Sequence, residues 1–186
     1  MNPIKNSRLF LLSVLAGVGI VLLLAAYSHL NNPPPLHINT LTRDISVSEQ
    51  LEPEAMNRLK ESGFAAVIDL RPDGEAKDQP TSEAMSIAAK QNKLDFFYVP
   101  VPHGAIPEQS VSQLAEALRS APKPVLMYCR SGRRAARTWS LVEASRHDGM
   151  DAKSILAAVS SVGQSAEDLS QDISLRISQR SDKDHE

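Results

Sequence analysis

A lone cysteine followed by a basic run with one glycine is a pattern that does nucleophilic chemistry, and this chain carries it as Tyr128-Cys129-Arg130-Ser131-Gly132-Arg133-Arg134. Upstream, Pro124-Val125-Leu126-Met127-Tyr128 has the length and the bounding proline of a buried strand. Downstream, Ala135 to Glu143 has helical spacing. A loop between a strand and a helix N-terminus points backbone N–H groups and the positive end of the helix dipole at one spot, which favours a bound anion and a thiolate alike. Cys129 is therefore the expected nucleophile. Arg130, Ser131, Gly132 and Arg133 are expected to cradle an anion, and Arg134 to grip two of its oxygens with a planar fork. A merely buried cysteine would need neither the glycine nor the basic residues after it.

The elements that must hold this loop alternate between strand and helix signals. Strand patterns fall at Asp44–Ser48, Phe64–Leu70, Leu94–Val101 and Val125–Tyr128. Helical patterns fall at Pro53–Ser62, closed by Gly63, at Ser82–Asn92, started by Pro80-Thr81, and at Glu108–Ser120, Arg134–His147, Asp151–Ser161 and Ala166–Ser178. This order predicts an α/β fold with a mainly parallel central sheet flanked by helices. Ligands of such sheets sit beyond the carboxyl ends of the strands, where Cys129 falls. Trp139 and Leu141, on the helix after the loop, are expected in the core. Arg133 and Arg137 are expected to face solvent or acidic groups of a substrate.

At the N-terminus, Leu9–Leu30 carries no charge and approaches the ~20 residues that span a bilayer. A cleaved signal peptide would use the small residues of Ala26-Tyr27-Ser28, but the apolar run is longer than such peptides usually have, so a retained anchor is favoured. Lys5 and Arg8 precede it and no basic residue follows until Arg43, which predicts a cytoplasmic N-terminus and a periplasmic or extracytoplasmic domain. The expected organisation is a cytoplasmic stretch (1–8), a transmembrane helix or signal anchor (9–30), a Pro-rich linker (31–43), a catalytic domain (44–178) and a disordered tail (179–186).

Composition narrows the function classes. Beyond Arg8, 18 basic residues face 22 acidic ones, with no basic face interleaved with aromatics, so nucleic acid is not an expected partner. One cysteine excludes an intrachain disulfide. The five histidines are dispersed without ligand spacing, and no metal or other cofactor is expected.

The runs Ser48-Glu49-Gln50-Leu51, Val67–Glu75 (VIDLRPDGE), Asp78-Gln79-Pro80, Val99-Pro100-Val101 and Leu126–Gly132 (LMYCRSG) resemble the phosphatase-like domain family of the beta-lactamase-hydrolase-like proteins. The resemblance covers about residues 40 to 178. It implies a compact fold like that of the dual-specificity and tyrosine phosphatases, with Cys129 as nucleophile and Arg134 as anion clamp. The loop departs from those phosphatases in one respect: they carry five residues between nucleophile and arginine, whereas Arg130, Ser131, Gly132 and Arg133 make four, with Ala135 at the position that would complete the longer motif. Here the loop resembles that of a rhodanese, a sulfurtransferase that holds a persulfide on its cysteine.

Phosphatases of this fold usually place an acid, an aspartate, after the strand corresponding to Phe96–Val101; this chain has Pro102-His103-Gly104 there. His103 is the nearest candidate acid, and Asp73, in the Arg71-Pro72-Asp73-Gly74 turn, is its competitor. Arg71 either adds charge to the anion site or pairs with an acidic neighbour. The expected activity is a cysteine-dependent phosphatase-like hydrolase acting on phosphate monoesters through a thiophosphate on Cys129. The alternative is a rhodanese-like sulfurtransferase carrying a persulfide on Cys129, and a third reading is a binding domain without turnover. The substrate is then a phosphorylated or sulfur-donor small molecule or protein, with the membrane as partner through the N-terminal helix and the oligomeric state left open.

Overall fold

The computed structural model describes residues 14–25, 27 and 35–182. The chain divides into an N-terminal unit, residues 1–36, and a second unit, residues 37–186. The first contains a helix over residues 14–25, α1. Among the described residues no helix is long and apolar enough to cross a membrane. A span takes about 20 residues, and the described part of α1 covers residues 14–25, with Gly17 and Gly19 inside it. The expected transmembrane helix is corrected by this finding, and so is the single-pass, extracytoplasmic placement that rested on it. The expected cytoplasmic stretch, residues 9–13, 26 and 28–30 of the expected anchor, and residues 31–34 of the linker lie outside the described residues.

The second unit runs β1 (Ile38–Thr42), β2 (Ile45–Ser48), α2 (Ala55–Glu61), β3 (Ala66–Asp69), α3 (Ser82–Gln91), β4 (Asp95–Tyr98), α4 (Glu108–Ser120), β5 (Val125–Tyr128), α5 (Arg133–Ser145), α6 (Ala152–Ser161), a short 3-10 turn (Glu167–Leu169) and α7 (Ser170–Asp182). The sheet order is β1-β2-β5-β3-β4. β2, β5, β3 and β4 run parallel. β1 pairs antiparallel with β2 through a hairpin, Thr42 opposite Ile45. The sheet is thus mixed, and the antiparallel β1 at its edge is the strand that the expected mainly parallel sheet lacks. Residues 38–42, expected as linker because prolines precede them, form that strand; their Leu41 is buried in the core, and Arg43-Asp44 turn the chain back into β2. α7 likewise reaches Asp182, into the stretch expected to be a disordered tail, whose residues 183–186 lie outside the described ones.

Alternation along the central strands sorts the core into two layers. Ile68, Leu70, Met127 and Cys129 join one cluster with Leu114 of α4 and Trp139 of α5. Val67, Asp69, Leu126 and Tyr128 point the other way, and the buried Met56, Leu59 and Met85 of α2 and α3 stand outside that cluster. β5 is central and all four of its residues are buried, so its carboxyl end, and the cysteine that follows, is held from both sides. The ladder continues one residue past β3, Leu70 N–H donating to Tyr128 O at 2.9 Å, which carries Arg71 and the turn after it to the same edge as Cys129.

Candidate active site

Cys129 follows β5 directly and is 1% exposed. Three contacts pin the loop behind it: Gln50 N–H donates to Arg130 O at 3.3 Å, Glu49 bridges Ser131, and Gln164 Nε2 donates to Ser131 O at 3.1 Å. These bonds engage the carbonyls of Arg130 and Ser131. Gly132 then enters α5 with φ +78°, a backbone that a side chain rarely tolerates, and a Cβ there would lie 3.4 Å from Ser48 O. As the residue before α5 it offers no side chain to its N–H groups, so the helix N-terminus has no side-chain cap. An anion is the natural acceptor for such an end.

Over Cys129 opens a cavity of about 400 Å³. One wall is the segment after β4, Pro102 to Ile106, with His103; the other runs from Cys129 through Arg130, Ser131, Arg133 and Arg134 to Arg137. Cys129, Arg130, Ser131, Arg133, Arg134 and His103, six of the residues expected at the site, therefore line one cavity, with Gly132 shaping the turn behind it. The side chains of Arg130 and Arg133 make no ion pair among the described residues. Arg137 differs from expectation: it is turned onto Asp168, with Nη2 at 2.7 Å from Oδ2, and bonds Ser165 O at 3.1 Å.

Arg134 has a partner that sequence spacing does not show. Its Nη2 donates to Glu75 Oε1 at 2.7 Å and its Nη1 to Leu70 O at 3.4 Å. The other oxygen of Glu75 takes Arg71 Nε at 2.8 Å, and Arg71 Nη1 goes on to Gln50 Oε1 at 2.9 Å. Burial pushes the Glu75 carboxyl up, but the bonds from the two guanidinium groups outweigh it and hold the carboxyl below its ordinary value. Arg71, at 6% exposed, is thus a paired, buried cation. It lines a neighbouring cavity of about 450 Å³ with Gln50 and Gln79, not the cavity over Cys129. Of its two expected roles, pairing with an acidic neighbour is the one this geometry has. A carboxylate four residues after Arg71 is a spacing the sequence does offer; its second partner, 59 residues away, leaves no such trace.

Asp73 is not among the residues lining the cysteine cavity. Its carboxylate accepts from Ser82 N–H at 2.7 Å and Ser82 Oγ at 2.6 Å, fastening the turn to the start of α3, and its own N–H donates to Tyr98 Oη at 2.9 Å. That is turn chemistry with both carboxylate oxygens engaged. Two residues before Arg71, Asp69 is 1% exposed, accepts Arg71 N–H at 2.8 Å and is pushed up to about 6 by burial. It points to the face opposite Cys129, beside Tyr128, whose phenol burial and then the Asp69 charge raise above its ordinary value.

Residues 37–146 match the family described as beta-lactamase hydrolase-like protein, phosphatase-like domain. A beta-lactamase hydrolase-like protein of Xylella fastidiosa is 30% identical over 108 residues, a match that takes in 58% of this chain and 25% of that protein. The chain thus spans about a quarter of the length of the curated relatives it matches. Among solved structures, a candidate phosphatase from Neisseria meningitidis superposes with a TM-score of 0.66 at 24% identity, covering 76% of this chain and 99% of that one. The core catalytic domain of the PP-IP phosphatase SIW14 from S. cerevisiae, solved with citrate, gives 0.56 at 17% identity over 82% of this chain and 94% of its own. These likenesses carry the fold, a mixed α/β sheet flanked by helices as in phosphatases. With a matched segment that holds the cysteine loop, Arg134 and the turn of Glu75, the chain belongs to the phosphatase-like domain family of the beta-lactamase hydrolase-like proteins.

Proposed function

We propose that this domain is a cysteine-dependent hydrolase of phosphate monoesters. The observation that carries the reading is the placement of Cys129 at the base of an arginine-lined cavity, at the mouth of a helix N-terminus without a side-chain cap. Family membership and the phosphatase names of the structural neighbours support it. In the reaction, the Cys129 thiolate attacks phosphorus as the bond to the ester oxygen breaks. The leaving oxygen takes its proton from His103, the one group of the facing wall that can give one. N–H groups at the start of α5 and the free N–H groups of Arg134 hold the non-bridging oxygens. Water, losing a proton to His103, then attacks the thiophosphate; the S–P bond breaks, inorganic phosphate leaves and the thiolate returns.

Two observations favour a second reading, a sulfurtransferase. The loop has four residues between Cys129 and Arg134, and among the described residues no aspartate lines the cavity. Thiosulfate would give its outer sulfur to the Cys129 thiolate with loss of sulfite, leaving a persulfide for a thiophilic acceptor, and no acid would be needed. Phosphate release from an aryl phosphate by the full chain, with Cys129→Ser in parallel, tests the first reading. Turnover lost in the variant is the expected result. No turnover above the variant, together with a thiosulfate-dependent mass gain of one sulfur on wild type, overturns it in favour of the second.

A further inference from the structure

We infer that Glu75 is the positioning residue of the anion site, and that Arg71, outside the cavity, acts on Arg134 through it. The inference deepens the reading of the cysteine cavity as an oxyanion site and rests on it.

A guanidinium on a long stem grips an anion well only when its plane is fixed, because its donors lie in a rigid fork. The backbone of α5 fixes where Arg134 starts, not where its fork points. Glu75 supplies that: Oε1 takes Nη2 at 2.7 Å, while Leu70 O takes Nη1 at 3.4 Å. Two of the five N–H groups are spent in this way and three, including Nε–H, remain for a ligand. Glu75 must itself be aimed, since it stands on the irregular segment after β3. Arg71 does this by holding Oε2 at 2.8 Å, and Arg71 is aimed in turn by Gln50 Oε1 at 2.9 Å and by its own N–H on Asp69. Gln50 also fastens the cysteine loop, through its N–H on Arg130 O. One chain of bonds therefore sets the fork of Arg134 and the loop of Cys129 in the same frame. The placement of Arg71 fits this: it is 6% exposed, its carboxylate and amide partners are in place, and unlike Arg134 it does not line the cavity over Cys129. Glu75, held ionised by two arginines, has no proton to give a leaving group, so its contribution to the site is orientation.

The test compares two anions by calorimetry on the full chain: orthovanadate, which takes the five-coordinate shape of phosphoryl transfer, and inorganic phosphate, which does not. A fork knocked off aim penalises the first more than the second. Glu75→Gln keeps the shape and loses one acceptor. It is expected to weaken vanadate by about tenfold or more, and phosphate by less. Arg71→Lys is expected to act in the same direction, and the double variant to lose little beyond Glu75→Gln, because both changes break one chain of bonds. Gln50→Ala, which leaves both charges in place, is expected to give a smaller loss with the same bias; it remains informative if Glu75→Gln does not fold. Equal losses for the two anions, or none in variants that unfold at the wild-type temperature, overturn the inference while leaving the pocket reading intact. A wild type that binds neither anion overturns the pocket reading, and this inference with it.

Discussion

The two ends of α5 are finished in opposite ways. At the C-terminal end Arg180, from α7, donates Nη1 to Arg146 O at 2.9 Å and to Glu143 O at 3.2 Å, and Nη2 to Met150 O at 2.9 Å. Gly149 packs there so closely on Glu143 O that a side chain has no room. Every feature of that end closes it. At the N-terminal end the preceding residue is Gly132, with no side chain to give, and the carbonyls of Arg130 and Ser131 are taken by Gln50 and Gln164. A helix normally has both sets of orphan groups answered by the protein. One end of the same helix is closed by the protein and the other is open, and on the proposed function the open end is the one that receives the ligand.

The largest effect expected from this contrast is in pH and falls on the edge behind the open end. Burial pushes Asp69 up to about 6 from 3.8. The folded chain thus holds that proton more tightly than the unfolded one, so the contribution is complete below about pH 4 and is lost as pH rises through 6. Denaturant unfolding should show wild type losing roughly 2–3 kcal/mol from this group between pH 4 and 7, and Asp69→Asn lacking that slope. Parallel profiles would show that Asp69 does not titrate where its burial implies. Next in size is the closed end. Arg180→Met removes its carbonyl bonds and should cost about 2 kcal/mol of stability while leaving vanadate affinity unchanged. A variant that loses vanadate in proportion would mean that the two ends are not independent. Smallest in stability is Gly132→Ala, about 1–2 kcal/mol for a side chain at φ +78°, yet it should abolish vanadate binding. Retained binding would detach the open end from the anion.

How much of this was legible in the sequence depended on distance along the chain. Cys129, Gly132 and Arg134 fall within six residues, and the strand before them and the helix after them follow from local periodicity, so the position of the cysteine loop could be read directly. The central strands and helices were legible for the same reason. β1 was not, because Ile38–Thr42 is short and follows prolines, and only its pairing with β2 makes it a strand. Arg180, read as part of a charged tail, is structural through partners 30 to 37 residues away. Glu75 was visible as a letter of a motif, but its bond to Arg134 spans 59 residues and depends on β3 and β5 lying side by side. The apolar N-terminal run shows the reverse case. Composition alone suggested a bilayer span, and among the described residues no helix is long and apolar enough to cross a membrane.

The central claim, that the open end of α5 holds a phosphoryl group against Cys129, is tested most directly by mass spectrometry of the full chain quenched in acid during turnover of an aryl phosphate. The account predicts a phosphoryl group on the peptide containing Cys129, absent from Cys129→Ser. An unmodified cysteine under turnover, or a cysteine carrying sulfur after exposure to thiosulfate but never phosphorus, would contradict it.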